Sequence, residues 1–368
     1  MALSYWEKDY YGQIDFAILG CGIVGLATAI HLKKAEPNAN VVVIDRSWPP
    51  HGASTKNAGF VCFGSPTEIM DDIQTNSPEI AMNIFEKRWL GRETLFSMVD
   101  TTNLDYEQIG GLELFEKLEL PEEHEIQYLN QLIYNKIGVN DYFEYVDNNA
   151  FPNFNNKAIL ASKEGRINPM KLILALKSQA DQLGVKFLIK EVTAIDRTNK
   201  GLVFDQDTSL PYGKLLVTLN AFATRYLPEM QDLKAARNVV LVTSPLKNFN
   251  LNHVVHIDKG YIYMRMIGDR ILLGGARNKF LNTEFTDEIK VNPEIINYLM
   301  AFLKDKFSIN ENFEIEASWS GILGVGSNKS PITEKVDHCT YVGVRMGGMG
   351  VAIGALVGKE LAALAIQN

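Results

Sequence analysis

Apolar positions along this chain switch between two periods, and the switch is sharpest between Ile14 and Asp45, which reads IDFAILGCGIVGLATAIHLKKAEPNANVVVID. The apolar run Phe16 to Leu19 predicts a short buried strand, the segment through Leu32 a helix, and Val41 to Ile44 a second strand. Residues 78–100 repeat apolar side chains at helical spacing, and Tyr106 to Phe115 reads as strands around Gly110-Gly111. An acidic helix is predicted over Leu120 to Lys136, with Pro121 near its start. Asn168 and Pro169 predict a helix start, Met170 to Leu183 the helix and Gly184 its end, before a strand Val185 to Ile189. Val192–Ile195, Leu202–Phe204 and Leu215–Leu219 read as further strands, the last turning at Asn220-Ala221 into a short helix stopped near Pro228. Residues 237–280 are β-rich, Pro293 to Phe307 is a helix, and Phe313 to Trp319 and Tyr341 to Val344 are strands. The chain ends in a helix of small residues entered through Gly347, Gly348 and Gly350. Strands alternating with helices, then a β-rich region, predict an α/β (α+β) chain.

The first strand–helix–strand unit carries candidate chemistry. Gly20, Gly22 and Gly25 stand in G-x-G-x-x-G spacing, and Asp45 follows 20 residues after Gly25. Gly20 permits a tight turn, Gly22 a close approach of pyrophosphate to backbone, and Gly25 helix–strand packing. The helix N-terminus offers unpaired N–H groups and a favourable dipole to phosphates. Asp45 can accept from a ribose diol. Together these predict a dinucleotide site.

Composition narrows the rest. The 368 residues suggest two domains, and 46% hydrophobic with 22% charged residues describes an ordinary globular protein. Net charge −8 argues against a nucleic-acid surface. Three scattered cysteines, Cys21, Cys62 and Cys339, suit reduced thiols and a cytoplasmic location rather than a disulfide or zinc framework. No segment reads as a membrane span: Tyr341 to Ile366 is broken by Arg345, Lys359 and Glu360.

Three further segments hold candidate residues. GASTKNAG, from Gly52, offers small residues and the hydrogen-bonding Ser54, Thr55 and Asn57, either to a flat ligand or as a plain polar loop. Strand alternation puts Tyr261, Tyr263 and Arg265 on one face, a cavity wall or a half-exposed sheet. Gly347, Gly348 and Gly350 open a second glycine-rich helix N-terminus, suited to cofactor contact or to a sharp turn.

Taken together, GCGIVGLATA with VVVID, GASTKNAG, GRINPMKLILAL, LLVTLNAFATRYLPE, GYIYMRMIGDRILLGG and VGVRMGGMGVAIGALVGKELA resemble the D-amino-acid-oxidase-like family of FAD-dependent oxidoreductases. That family includes glycine oxidase, sarcosine oxidase and related amine dehydrogenases. The resemblance implies a discontinuous Rossmann-like FAD-binding domain with a parallel central sheet (1–75, 155–220 and 320–368) and a substrate domain with a mostly antiparallel sheet (76–154 and 221–319). It implies non-covalent FAD, with Gly20, Gly22, Val24 and Gly25 at the pyrophosphate and Asp45 and Arg46 at the adenosine ribose. Ala53, Ser54, Thr55, Asn57, Ala58 and Gly59 would line the flavin, with Val192 at adenine and Asn220 and Ala221 nearby. Gly347, Gly348, Met349 and Gly350 would face the ring. Tyr261, Tyr263, Arg265 and Arg345 become the substrate-face candidates. No metal and no triad are expected, because a flavin does the redox work and the protein orients the substrate.

This sequence departs from the family at one telling place. Where amino-acid oxidases carry a carboxylate-binding arginine in WxGxRP, the chain reads WSGILGVGSNKSP, with Leu323 at the matching position. Either Arg265 or Arg345 replaces that clamp, or the substrate is not an α-amino acid. The sarcosine-oxidase lysine falls near Leu272, and no cysteine stands where those enzymes attach flavin. The implied reaction is hydride transfer from the C–N carbon of a small amine or amino acid. The alternatives are oxidation of a hydroxy acid or polyol, a flavoprotein module acting on a macromolecule such as tRNA, and, most distantly, an NAD dehydrogenase.

Overall fold

The computed structural model describes residues 4–117, 119–205, 208–309 and 312–367. Two large sheets organise it. In the first, the strands run in the order Ile332–Lys335, Thr340–Val344, Thr208–Val217, Ile14–Leu19, Val41–Asp45, Lys186–Ile189. Every neighbouring pair is parallel except the first. The central strands are apolar almost throughout, as strands covered on both faces must be. Gly201–Asp205 and Ala194–Asp196 add an antiparallel flap to the long strand Thr208–Val217.

The second sheet runs Ile315–Val325, Lys234–Thr243, Arg270–Gly275, Ile262–Ile267, Val254–Ile257, Gly111–Glu113, Lys157–Ala161, Phe143–Asp147. It is antiparallel apart from the pair Val254–Ile257 with Gly111–Glu113. Lys157–Ala161 and Ile315–Val325 therefore belong to this sheet, and the expected boundaries at residues 155 and 320 cut across it. A two-strand ribbon, Phe60–Val61 with Gly165–Arg166, sits apart from both sheets.

Helix positions follow the sequence closely: Ile23–Ala35, Pro78–Phe96, Glu123–Ile137, Pro169–Gln182, Pro293–Phe307 and Gly350–Gln367. Asn168 caps its helix by accepting from the Met170 and Lys171 N–H groups, with Pro169 at the first turn. GASTKNAG is partly helical rather than a loop, because Ala53–Lys56 form one turn. Tyr5–Tyr11 is a helix closed by a Ser4–Glu7 capping box and anchored by the Tyr11 hydroxyl donating to the Phe187 carbonyl at 3.0 Å.

Gly350–Gln367 is the one helix among the described residues long and apolar enough to cross a membrane, and 61% of it is buried in the protein. Small residues explain how. A Cβ on Gly358 would lie 2.7 Å from the Ala27 Cβ and 2.8 Å from the Val24 carbonyl oxygen, and one on Gly91 would lie 2.2 Å from the Ala352 carbonyl oxygen. The helix is thus wedged against Ile23–Ala35 on one side and Pro78–Phe96 on the other, and it delivers its N-terminus to the glycine loop. Gly358→Leu should destabilise the protein by about 3 kcal/mol, at the upper end of overpacking costs. A urea unfolding midpoint equal to the wild type's would contradict this packing.

Candidate functional site

Two cavities meet between the sheets. The first is a groove of about 1370 Å³, part of it open to solvent, at the carboxyl ends of the strands Ile14–Leu19 and Val41–Asp45. This is where open parallel sheets bind ligands. Gly20 turns the chain out of the first strand at φ +107°, and a Cβ on Gly25 would lie 1.9 Å from the Gly20 carbonyl oxygen. Glycine at both positions lets the helix start directly over the strand. The helix cap, Gly22, has no side chain to occupy the first-turn N–H groups. The Ile23 N–H instead donates to the Ser54 hydroxyl at 3.0 Å. A Cβ on Gly22 would meet that hydroxyl at 2.7 Å. Asp45 is fixed by the Cys21 N–H, which donates to its carboxylate at 2.8 Å.

Gly20, Gly22, Val24, Asp45, Arg46, Ala53, Ser54, Asn57, Val192, Asn220, Gly348 and Gly350 all line this groove. The Asn220 side-chain oxygen is buried beside Gly324, without a partner among the described residues. Other expected cofactor residues lie elsewhere. Gly25 packs helix on strand. The Thr55 hydroxyl donates to the Pro50 carbonyl at 2.6 Å, and Ala221 is buried in the turn after the strand. Gly59, at φ +73°, abuts the Ile167 carbonyl. These four shape the groove without lining it.

The second cavity is a chamber of about 1200 Å³, part of it open to solvent. Its lining includes Ala58, Gly347 and Met349, and it shares Ala53, Asn57, Leu323, Gly348 and Val351 with the groove. Leu323, the position of the missing arginine, thus stands at the junction. The chamber's wall is one face of the second sheet. Glu113, His256, Tyr263, Gly274, Val240 and Trp319 stand opposite one another across six strands. Gly274 has a reason to be glycine, since a Cβ there would lie 2.6 Å from the Tyr263 ring. The Tyr263 hydroxyl accepts from the Asn238 side-chain amide at 2.9 Å.

Tyr261 and Tyr263 line the chamber, whereas Arg265 and Arg345 line neither cavity. Arg265 shares the face of the two tyrosines, but its head group turns away and donates to the Ile167 carbonyl at 3.3 Å. Burial, with Arg166 nearby, pushes its pKa down to about 10. Arg345 is consumed by the Ser330 carbonyl at 2.8 Å, the Asn328 side chain at 3.1 Å and the Asp232 carboxylate. Neither arginine is among the residues that line the chamber.

The chamber's cations are others, and the sequence reading passed over them. Lys259 pairs with Asp71 at 2.5 Å, and Lys329 with Glu68 at 3.0 Å and Asp72 at 2.7 Å. Lys56 and Arg277 have no carboxylate partner among the described residues, and the Arg277 guanidinium lies 5.5 Å from the Tyr261 ring centroid. Strand alternation could not reveal Arg277, because it lies beyond the strand Arg270–Gly275, after a left-handed Ala276. The chamber thus offers aromatic walls and two unpaired cations.

A model of the FAD dependent oxidoreductase family matches residues 15–364. The chain belongs to this family. Its members bind FAD, as the wide groove and the side-chain-free helix cap here would allow. The probable oxidoreductase OrdL of Haemophilus influenzae is 19% identical over 374 residues, spanning 95% of this chain and 82% of that protein. L-Proline dehydrogenase from P. horikoshii superposes with a TM-score of 0.76 at 18% identity, covering 96% of this chain and 94% of that one. Glycine oxidase from Geobacillus kaustophilus gives 0.74 at 19% identity, covering 97% and 95%. At such identities the solved structures share the fold, and the mixed α/β architecture is theirs.

Glu68 allows a pH test of the site's charge network. Burial alone would raise its pKa, but Arg88 at 3.1 Å and Lys329 outweigh it and hold the carboxyl at about 2, below the ordinary 4.5. A folded pKa below the unfolded one contributes stability above the unfolded value and loses it as pH falls toward the folded one. Glu68→Gln should cost about 3 kcal/mol near neutral pH, since it leaves Arg88 buried without its carboxylate. The gap should close between pH 4.5 and about 2. Urea unfolding of both proteins across that range checks it, and a gap independent of pH would contradict it.

Proposed function

We propose that this FAD-dependent oxidoreductase oxidises the C–N bond of a small amine or amino acid by hydride transfer to non-covalent FAD. The observation that carries this reading is the junction of groove and chamber at Asn57, Leu323 and Gly348. A ligand long enough to run from Asp45 to that junction would present its far end to a substrate held in the chamber.

In this reading Gly20, Gly22, Val24 and Ser54 lie at the pyrophosphate, Asp45 and Arg46 at the ribose and Val192 at adenine. Asn57, Asn220, Gly348, Met349 and Gly350 surround the flavin, with Ala53, Ala58 and Gly347 beside them. The cofactor-binding part would comprise the segments around the first sheet, and the substrate part those around the second. When bound, the flavin supplies an acceptor for a hydride. The chain's own residues do the rest. Arg277, held against Tyr261, and Lys56 would draw in a carboxylate, taking over the role that arginine plays at the Leu323 position in amino-acid oxidases. A guanidinium suits that role because its fork matches two carboxylate oxygens. Tyr263 and Phe60 supply an aromatic wall that would orient the substrate carbon and keep water away.

Proteins acting on amines and amino acids, among them a glycine oxidase and a proline dehydrogenase, share this fold over nearly the full chain and support the reading. The test is anaerobic addition of amines, amino acids and matched hydroxy acids to the flavin-loaded protein. Bleaching by a nitrogen compound and not by its hydroxy counterpart is expected, and the reverse preference would overturn the reading. Arg277→Met should raise the KM for a carboxylate-bearing amine about tenfold or more, with a much smaller change in kcat.

A further inference from the structure

We propose that His256, held by Glu164, takes the proton from the substrate's ammonium nitrogen before the C–H bond breaks. This rests on the C–N reading above. The register of the second sheet puts His256 between Glu113 and Tyr263, on the face that walls the chamber. Its ring is almost wholly buried. Nε2 lies 2.8 Å from a carboxylate oxygen of Glu164, itself 0% exposed, and the other oxygen accepts from the Phe63 N–H at 3.1 Å. With Nε2 donating to Glu164, the neutral imidazole keeps its lone pair on Nδ1. That atom has no protein partner among the described residues, while the residue lines the chamber. The Phe60 ring, edge-on with centroids 5.6 Å apart, closes another side of the imidazole.

The chemistry needs such a group. An amine is mostly an ammonium at neutral pH, and an ammonium nitrogen has no lone pair to form the C=N bond as hydride leaves. In the step proposed, one N–H bond of the ammonium breaks and its electron pair stays on nitrogen. The Nδ1 pair forms the new N–H bond, and the resulting imidazolium is balanced by the Glu164 carboxylate. Nothing is oxidised or reduced in this step.

The groups facing His256 favour it as a base. Burial lowers its pKa, but Glu164, then Glu113 and Glu68, outweigh burial and raise it above the ordinary 6.5. Glu113, on the neighbouring strand, accepts from the Ser65 hydroxyl at 2.8 Å, the Thr67 N–H at 3.1 Å and the Thr67 hydroxyl. Burial raises its pKa. Glu68, from the helix Pro66–Thr75, is already paired with Arg88 and Lys329. Cys62 lies close by, and burial keeps it a thiol. Tyr263, opposite in the sheet, is held as a phenol by its own burial. Glu164 is therefore the only one of the three facing carboxylates bonded to the ring, and it is a positioning residue.

The experiment follows anaerobic flavin reduction across pH in the wild-type holoenzyme, His256→Asn and Glu164→Gln, with histidine NMR titration of the same proteins. The wild type should show a rate inflection above pH 6.5, matching one histidine in the NMR titration. Glu164→Gln should move both downward together, by about one unit. His256→Asn should slow reduction about a hundredfold near neutral pH, the gap closing at alkaline pH where the substrate amine is already neutral. A kinetic inflection that stays put while the NMR value moves, or a His256→Asn pH profile equal to wild type, would overturn the proposal. If His256→Asn does not fold, Glu164→Gln alone decides. If hydroxy acids reduce the flavin and no amine does, the C–N reading falls, and this proposal with it, whatever the histidine titration gives.

Discussion

How closely the helix Ile23–Ala35 sits on the first strand governs the rest of this molecule. The Gly20 turn, the absent Gly25 side chain and the absent Gly358 side chain bring three backbones within contact that any Cβ would prevent. The Thr218 hydroxyl, donating to the Leu19 carbonyl at 2.7 Å, fastens the neighbouring strand's end to the same turn. This packing aims one helix N-terminus into the groove and lets the long final helix lie alongside, aiming a second one at the junction. Both termini are positioned by these small residues, so the shape of the groove here is a consequence of core packing.

The second constraint is polar. Glu68, Glu113, Glu164 and His256 are all buried beside the chamber, and each is bonded to a named partner. Burying so many ionisable groups is costly unless each is satisfied. Their placement beside the chamber, next to two cations without acid partners among the described residues, gives it a polar, charged side. Leu323, an apolar side chain, sits where groove and chamber meet, and Arg277 and Lys56 are the chamber cations without a carboxylate partner among the described residues.

Local pattern revealed the first sheet's core, the cap at Asn168, the helix start at Pro293 and the glycine loops, because each depends on a few consecutive residues. The second sheet was legible as strands but not as an order. Its pairing joins Gly111–Glu113 to Val254–Ile257 across some 140 residues, and no local signal carries such a register. That is why His256 and Glu164 went unnoticed and why Arg265 was misjudged. Alternation correctly put Arg265 on the tyrosine face, but it says nothing of where a long side chain ends. Arg345 was chosen for its place beside the glycine loop, and only the fold reveals Asp232 beside it.

The account's central claim is that groove and chamber form one site, with the cofactor's reactive end at the junction and the substrate against it. The most direct measurement is the visible spectrum of the flavin-loaded protein titrated with a small carboxylate that lacks an oxidisable C–H bond and competes with substrate. A saturable perturbation of the flavin band, with the same dissociation constant as the inhibition, is the predicted result. Competitive inhibition that leaves the flavin spectrum untouched would contradict the claim, because the compound would then be bound away from the junction.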